Sequence, residues 1–189
     1  MKIYGWLILA LWLTLIAYWA VAARRSIGGR WIWWREIGLR LGFFALLVQA
    51  LLVTVADDAA PTAWLYASNS GRLTGLVGLL LCASGIGLAI LGRVYLSRNP
   101  GVAGSNRGAT VLVTSGPYGF VRHPIYGGML VAMLGSAIGQ SVLWLLPLIV
   151  YGPYFVRSAR HEEALLVEQF PESYPSYMKQ TKMLLPFLL

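Results

Sequence analysis

Charge is scarce in this chain: 12% of its 189 residues are charged, against 58% hydrophobic. That balance lies outside the range of soluble globular domains. Cysteine is scarcer still. Cys82 stands alone within an apolar run, which excludes an intrachain disulfide or a cysteine-based metal centre. His123 and His161 are the only histidines, and without a carboxylate cluster they give no metal site. Acidic residues number 7 against 15 basic ones, a formal charge of +8. The cations alternate between loops rather than lining an amphipathic element. They therefore read as the orientation signal of a multi-pass protein, and no nucleic-acid partner is expected. What the chain has in abundance is apolar runs long enough to span a bilayer, so residues 1–189 are expected to form one all-α integral membrane domain.

Ile3 to Ala23 is the first run, closed by Arg24-Arg25. Ala20-Val21-Ala22 resembles a signal-peptidase site, but the run is longer than a usual signal core, so a retained helix is expected. Residues 24–36 interleave Arg24, Arg25, Arg30 and Arg35 with Trp31, Trp33 and Trp34, an interfacial anchor of cytoplasmic type. Ile37 to Ala56 is the second run, with Arg40 able to snorkel near its start. The loop of Asp57 and Asp58 carries no cation and reads as external. Leu73 to Leu91 is the third run, and its glycines at 75, 78, 85 and 87 predict close helix packing. Arg93, Arg98 and Arg107 return the chain to the cytoplasmic side, and residues 110–114 could form a short extended lead. From Pro124 to Val156 the sequence is apolar but interrupted at Gly139-Gln140-Ser141, Pro147 and Pro153. Two arms of about sixteen residues, roughly 24 Å each, predict a tight helical hairpin that nearly spans or re-enters. The count is about five transmembrane segments, three of them in residues 1–91. The N-terminus is then outside and the C-terminus cytoplasmic, in what is expected to be a plasma (inner) membrane.

Residues 114–128, TSGPYGFVRHPIYGG, gather a turn signal, a cationic pair, two tyrosines and several glycines. Gly116-Pro117 breaks regular structure. Pro124 suits the first turn of a helix, directly after Arg122-His123. Gly127 and Gly128, one turn on, leave room for another backbone or a ligand. Free N–H groups and fixed cations at a helix start make a site for an anionic group.

The tail RSARHEEALLVEQF reads as a helix beginning at Arg157 and stopped by Pro171. Ala159, Glu163, Leu166 and Phe170 share one stripe, so Glu163 faces inward, while Glu162 lies about 100° round the helix. A carboxylate on an apolar face near a membrane is paired or held for a ligand. Arg160, one turn from Glu163, offers a plain i,i+3 salt bridge as the simpler account. On the positive-inside count, this tail and the loop before the hairpin share the cytoplasmic face.

GPYGFVRHPIYGG, then a hydrophobic hairpin, then EEALLVEQFPESYPSYMKQTKMLLPF, resembles the isoprenylcysteine carboxyl methyltransferase and phospholipid methyltransferase families. These are integral membrane enzymes that use S-adenosylmethionine. The likeness runs from about Gly92 to Phe187, making residues 92–189 the cofactor-binding half; it differs from the family pattern at Gly119 and Pro171. It implies a cytoplasmic cofactor site built from the loop before the hairpin and the C-terminal tail. Arg122, His123, Pro124 and Tyr126 would shape the pocket, with Gly116, Pro117 and Tyr118 leading in. Glu162 and Glu163 would reach the cofactor from the tail, and Tyr174, Tyr177 and Pro186-Phe187 would close over it. Arg160 and Glu163 are the candidate catalytic residues. The activity implied is methyl transfer from S-adenosylmethionine to a lipophilic acceptor: a prenylated thiol-acid, a phospholipid amine, or a small lipophilic thiol, alcohol or amine. Membrane lipids are the expected surroundings.

The residue types suit that cofactor. Arg122, His123 and free N–H groups can take its carboxylate. Glu162 or Glu163 can take the ammonium or ribose hydroxyls. Tyr118 and Tyr126 can face the adenine or the sulfonium. Methyl transfer is an in-line displacement that needs alignment and exclusion of water rather than a nucleophilic side chain. Because Glu163 lies on the inward stripe, Glu163→Gln is expected to weaken cofactor binding more than Glu162→Gln. The rival readings are an NADPH-dependent membrane reductase of the sterol-reductase type and a non-catalytic scaffold or transporter. The first wants more cations for phosphates than this tail offers. A transporter wants polar residues at the midplane of several helices.

Overall fold

The computed structural model describes residues 2–24, 42, 48, 71–98 and 111–184. The expected second span over residues 37–56, the arginine–tryptophan loop, the Asp57-Asp58 loop, Arg107 and Pro186-Phe187 lie outside those residues, Gly42 and Val48 excepted. Among the described residues all regular structure is helical: α1 (Lys2–Arg24), α2 (Arg72–Arg98), α3 (Pro124–Gly139), α4 (Leu145–Gln169) and α5 (Ser173–Gln180), with 3-10 turns at Gly116–Gly119 and Val142–Trp144. Three stretches are long and apolar enough to cross a membrane, Ile3–Ala22, Arg72–Ser97 and Val142–Gln169, while Pro124–Gly139 is shorter. This is a multi-pass membrane protein. Its chain divides into two compact units, Met1–Ile86 with Val131–Ile149, and Gly87–Leu130 with Val150–Leu189.

In the first unit, α1 turns Ile8, Trp12 and Leu15 inward at helical spacing, each fully buried. Trp12 stacks on Trp144 with ring centroids 5.1 Å apart and planes at 16°. Its indole donates to Ser136 Oγ at 3.0 Å, and the Trp144 indole donates to Gln140 Oε1 at 2.7 Å. Both indoles thus keep a partner in an apolar setting where an orphaned N–H is costly. α2 and α3 meet backbone to backbone. A Cβ on Gly78 would collide with the Gly139 main chain, and one on Gly135 with the Cys82 nitrogen and the Gly78 carbonyl. The close packing expected of the glycine-rich run is therefore real, and glycine is what permits it. Ser141 stops the chain after α3, its Oγ accepting from Leu143 N at 3.2 Å.

The second unit holds the C-terminal end of α2, the residues before α3, most of α4 and the tail. Pro124 is the first residue of α3. Tail residues 182–184 run beside residues 121–123 in a single parallel bridge, Val121 with Lys182. Arg122 N donates to Lys182 O at 2.8 Å and His123 N to Met183 O at 2.9 Å. A Cβ on Gly127 would strike the Leu184 carbonyl, so the room left one turn inside α3 is taken by the tail's own backbone. Met183 and Leu184 pack with Ala159 of α4, against Tyr126, Leu130 and Val156.

The hairpin differs from the expected pair of short arms. α3 has 16 residues, but α4 has 25 and runs unbroken through Pro153 into the charged tail. Pro153 removes one hydrogen bond, to the carbonyl of residue 149, yet in an apolar medium every neighbouring backbone group still depends on the helix for its partner. One missing bond does not outweigh the rest. The tail also adds α5, a helix after Pro171 that periodicity did not signal.

Candidate functional site

The site residues converge because three short segments meet in the second unit: residues 116–126, the charged turn of α4, and α5 with the strand-like end of the tail. Gly116 has φ of +62°, and the Tyr95 ring fills the space a Cβ would need. Pro117 follows it into the 3-10 turn. That turn buries Tyr118, whose hydroxyl donates to Gly92 O at 3.3 Å. Tyr177 of α5 in turn donates its hydroxyl to Tyr118 O at 2.6 Å. Tyr118 thereby ties the end of α2 to the tail.

Arg122 and Glu163 form the centre. Arg122 Nε lies 2.5 Å from Glu163 Oε1, with each side chain only 10% exposed. Arg122 Nη1 also donates to Met178 O at 3.1 Å and to Thr181 O. The guanidinium thus joins the loop, α4 and the tail through charge-assisted bonds. The carboxylate on the inward stripe is paired, but with Arg122 rather than with its helical neighbour Arg160, which is exposed and takes no part in the cluster.

His123 lies between the two glutamates. Its Nδ1 is 3.6 Å from Glu162 Oε2 and its Nε2 is 3.4 Å from Glu163 Oε1. The second approach is too poorly aligned to be a hydrogen bond, so Nε2 is buried without one. Glu162, with 27% of its side chain exposed, is the more open carboxylate. It accepts from Tyr126 OH at 2.7 Å. The Tyr126 ring is stacked between His123 at 5.7 Å and Phe155 at 5.1 Å. Tyr174 is 1% exposed and its hydroxyl has no hydrogen-bond partner.

The hydroxyls of Tyr118, Tyr174 and Tyr177 are held neutral. Burial, reinforced by Tyr177 and Glu162, pushes Tyr118 well above the ordinary tyrosine value, with the Arg93 charge acting the other way. Tyr174 is raised by burial first and then by Glu163, against Arg122. Tyr177 is pushed up to about 12, again mainly by burial. Buried neutral phenols donate hydrogen bonds well, and the Tyr174 hydroxyl is one left without an acceptor.

Sequence reasoning missed two participants. Phe155 is four residues before Ala159 and eight before Glu163, on the same buried stripe. Placing the helix start at Arg157 hid it; a helix carried through Pro153 would have found it. Arg93 reads in the sequence only as a loop-side cation, yet its Nε is buried without a hydrogen-bond partner, on the residue after the Gly92 whose carbonyl accepts from Tyr118.

The phospholipid methyltransferase family matches residues 73–173, and the chain belongs to that family. The resemblance carried by GPYGFVRHPIYGG and the EE tail thus holds. The chain is 38% identical over 80 residues to the protein-S-isoprenylcysteine O-methyltransferase of Schizosaccharomyces pombe, covering 41% of this chain and 34% of that one. It is 29% identical over 153 residues to the nickel-cobalt-cadmium resistance protein NccN of Alcaligenes xylosoxydans xylosoxydans, covering 79% and 65%. It is 32% identical over 112 residues to the cobalt-zinc-cadmium resistance protein CzcN of Cupriavidus metallidurans, covering 58% and 50%. The aligned part is thus between 34% and 65% of the length of these relatives. No solved structure matches the chain.

Proposed function

We propose that this protein transfers a methyl group from S-adenosylmethionine to a lipophilic acceptor drawn from the membrane. The family supports the reaction class, and one observation supports the cofactor. Glu162, with 27% of its side chain exposed, reaches His123 Nδ1 at 3.6 Å, and the same cluster holds two buried atoms without hydrogen bonds, His123 Nε2 and Tyr174 OH. Orphaned buried polar atoms next to a partly open carboxylate suit a ligand with an ammonium and several acceptor oxygens. When bound, that cofactor supplies an electrophilic methyl on a sulfonium.

In this reading Glu162 holds the ammonium or the ribose hydroxyls, oriented by Tyr126, and the Tyr174 hydroxyl and His123 donate to oxygens. Tyr126 acts through its hydroxyl on Glu162, its ring being held by stacking on His123 and Phe155. Arg122 and Glu163 position rather than contact: they fasten the tail so that Tyr174 and Tyr177 stay over the site and water is kept out. Arg160 has no role in it. The acceptor reaches the reacting end from the apolar side, and alignment supplies most of the catalysis. The site is cytoplasmic in this account, because the cofactor is a cytosolic solute and the tail carries the cationic signal.

The metal-resistance names of two relatives belong to those proteins and are not carried over to this site. Among the described residues no group of three histidine, cysteine or acidic side chains is disposed to hold an ion. The reductase alternative lacks support in the family match.

The test is methyl transfer from labelled S-adenosylmethionine to the lipid-extractable fraction of membranes. Label in that fraction, lost on Glu162→Gln, upholds the reading. Label absent with every acceptor class, from a protein shown to be folded, would defeat it.

A further inference from the structure

The methyl donor ends in an amino acid, so a site for it needs a cation for the carboxylate as well as an anion for the ammonium. Arg122, the natural choice from sequence, has committed Nε to Glu163 and Nη1 to two tail carbonyls. Arg157, Arg160, His161, Lys179 and Lys182 are exposed. Arg93 is different. It lies on the last turns of α2, next to Gly92, whose carbonyl accepts from Tyr118 and whose Cα side packs against Pro124 and Ile125. Its Nε is buried without a hydrogen-bond partner, and among the described residues no carboxylate is paired with it.

A buried guanidinium nitrogen with nothing to bond is costly near the apolar phase, and an ionisable residue so placed is a candidate ligand site. Tyr118 locates it. Its hydroxyl donates to Gly92 O, the residue before Arg93, and its carbonyl accepts from Tyr177 of the tail, so it joins the end of α2 to the site. Burial chiefly raises the pKa of its phenol; beyond that, Glu162 raises it and Arg93 lowers it, charges of opposite sign acting on one side chain. A zwitterion has that same pairing of charges.

We infer that Arg93 is the carboxylate anchor of this site, binding the anionic end of the donor's amino acid across Tyr118 from Glu162. The inference rests on the donor assigned above. The same chemistry, an anionic oxygen beside an ammonium, also occurs in a phospholipid amine headgroup, and the experiment separates the two.

Calorimetry in detergent compares S-adenosylmethionine with its decarboxylated form, which keeps the ammonium and lacks the carboxylate. The wild type should bind the decarboxylated ligand about ten- to a hundredfold more weakly, the worth of one charge-assisted bond. Arg93→Gln should weaken S-adenosylmethionine by that factor and leave the decarboxylated ligand unchanged, which also shows the variant folded. Arg93→Lys should recover part of the loss. Equal loss for both ligands, or no loss for either, overturns the assignment and returns Arg93 to an orientation signal. Unchanged donor affinity with a raised KM confined to phosphate-bearing lipid acceptors overturns it in favour of the headgroup. A wild type that binds neither ligand defeats the proposed cofactor, and this inference with it.

Discussion

Replacing Arg122 with Met removes the guanidinium that joins three segments and leaves Glu163 buried without its counter-charge. Both side chains are 10% exposed and 2.5 Å apart, so solvent screens little of the interaction. Breaking a buried pair from one side costs about 3–5 kcal/mol. Glu163→Gln is milder, since the amide oxygen still accepts from Nε and Arg122 keeps the Met178 and Thr181 carbonyls. What it loses is the charge-assisted part, about 1.5–3 kcal/mol. The double variant Arg122→Met/Glu163→Gln should cost less than the sum of the two, because the second change removes the unpaired charge the first one created. Hydrogen exchange resolves where the loss falls. The amides of Arg122 and His123, which donate to Lys182 O and Met183 O, should lose protection in Arg122→Met while those in the middle of α3 keep theirs. Additive single effects, or unchanged exchange at residues 122–123, would refute the view that this pair fastens the tail.

Three further outcomes follow from the same contacts. Gly127→Ala should destabilise by about 1–3 kcal/mol through overpacking against Leu184 O, whereas Gly87→Ala, with nothing within 4 Å, should be neutral or stabilising by up to about 1 kcal/mol; thermal unfolding in one detergent compares them. Glu162→Gln should weaken S-adenosylhomocysteine about ten- to a hundredfold with the fold retained, and more than Glu163→Gln does, measured by calorimetry. Burial pushes Tyr177 up to about 12 from an ordinary 10.0, so the stability that its neutral form contributes is fully present below pH 10 and is lost as pH rises toward 12; Tyr177→Phe should be less stable at pH 8 yet show a shallower fall between pH 10 and 12.

The sequence carried the local geometry of this site well because its signals are short-range. Gly116-Pro117, Pro124 after Arg122-His123, and the stripe of Ala159 and Glu163 are each fixed by backbone sterics or by helical phase, and each appears as read. Glu163 does face inward. Its partner was not legible, because Arg122 is 41 residues away and chain distance favoured Arg160. The inward glutamate is paired with Arg122, and the edge glutamate, Glu162, is the more exposed of the two, in contact with Tyr126 and His123. Under the proposed function, Glu162→Gln rather than Glu163→Gln is the substitution with the larger effect on cofactor binding. Gly127 was read as room for a backbone or a ligand, and Leu184 O fills it, a contact that no periodicity encodes. Pro153 misled for a physical reason. A proline breaks a helix in water, where freed groups are solvated, but not where the alternative is an unpaired carbonyl in an apolar phase. Phe155 was lost from the stripe with it.

The most direct test of the central claim is calorimetry on the purified full chain in detergent, with S-adenosylhomocysteine and NADPH titrated separately. The account predicts saturable binding of S-adenosylhomocysteine, weakened by Glu162→Gln, and no binding of NADPH. Binding of NADPH with none of S-adenosylhomocysteine would contradict it and assign the site to a reductase.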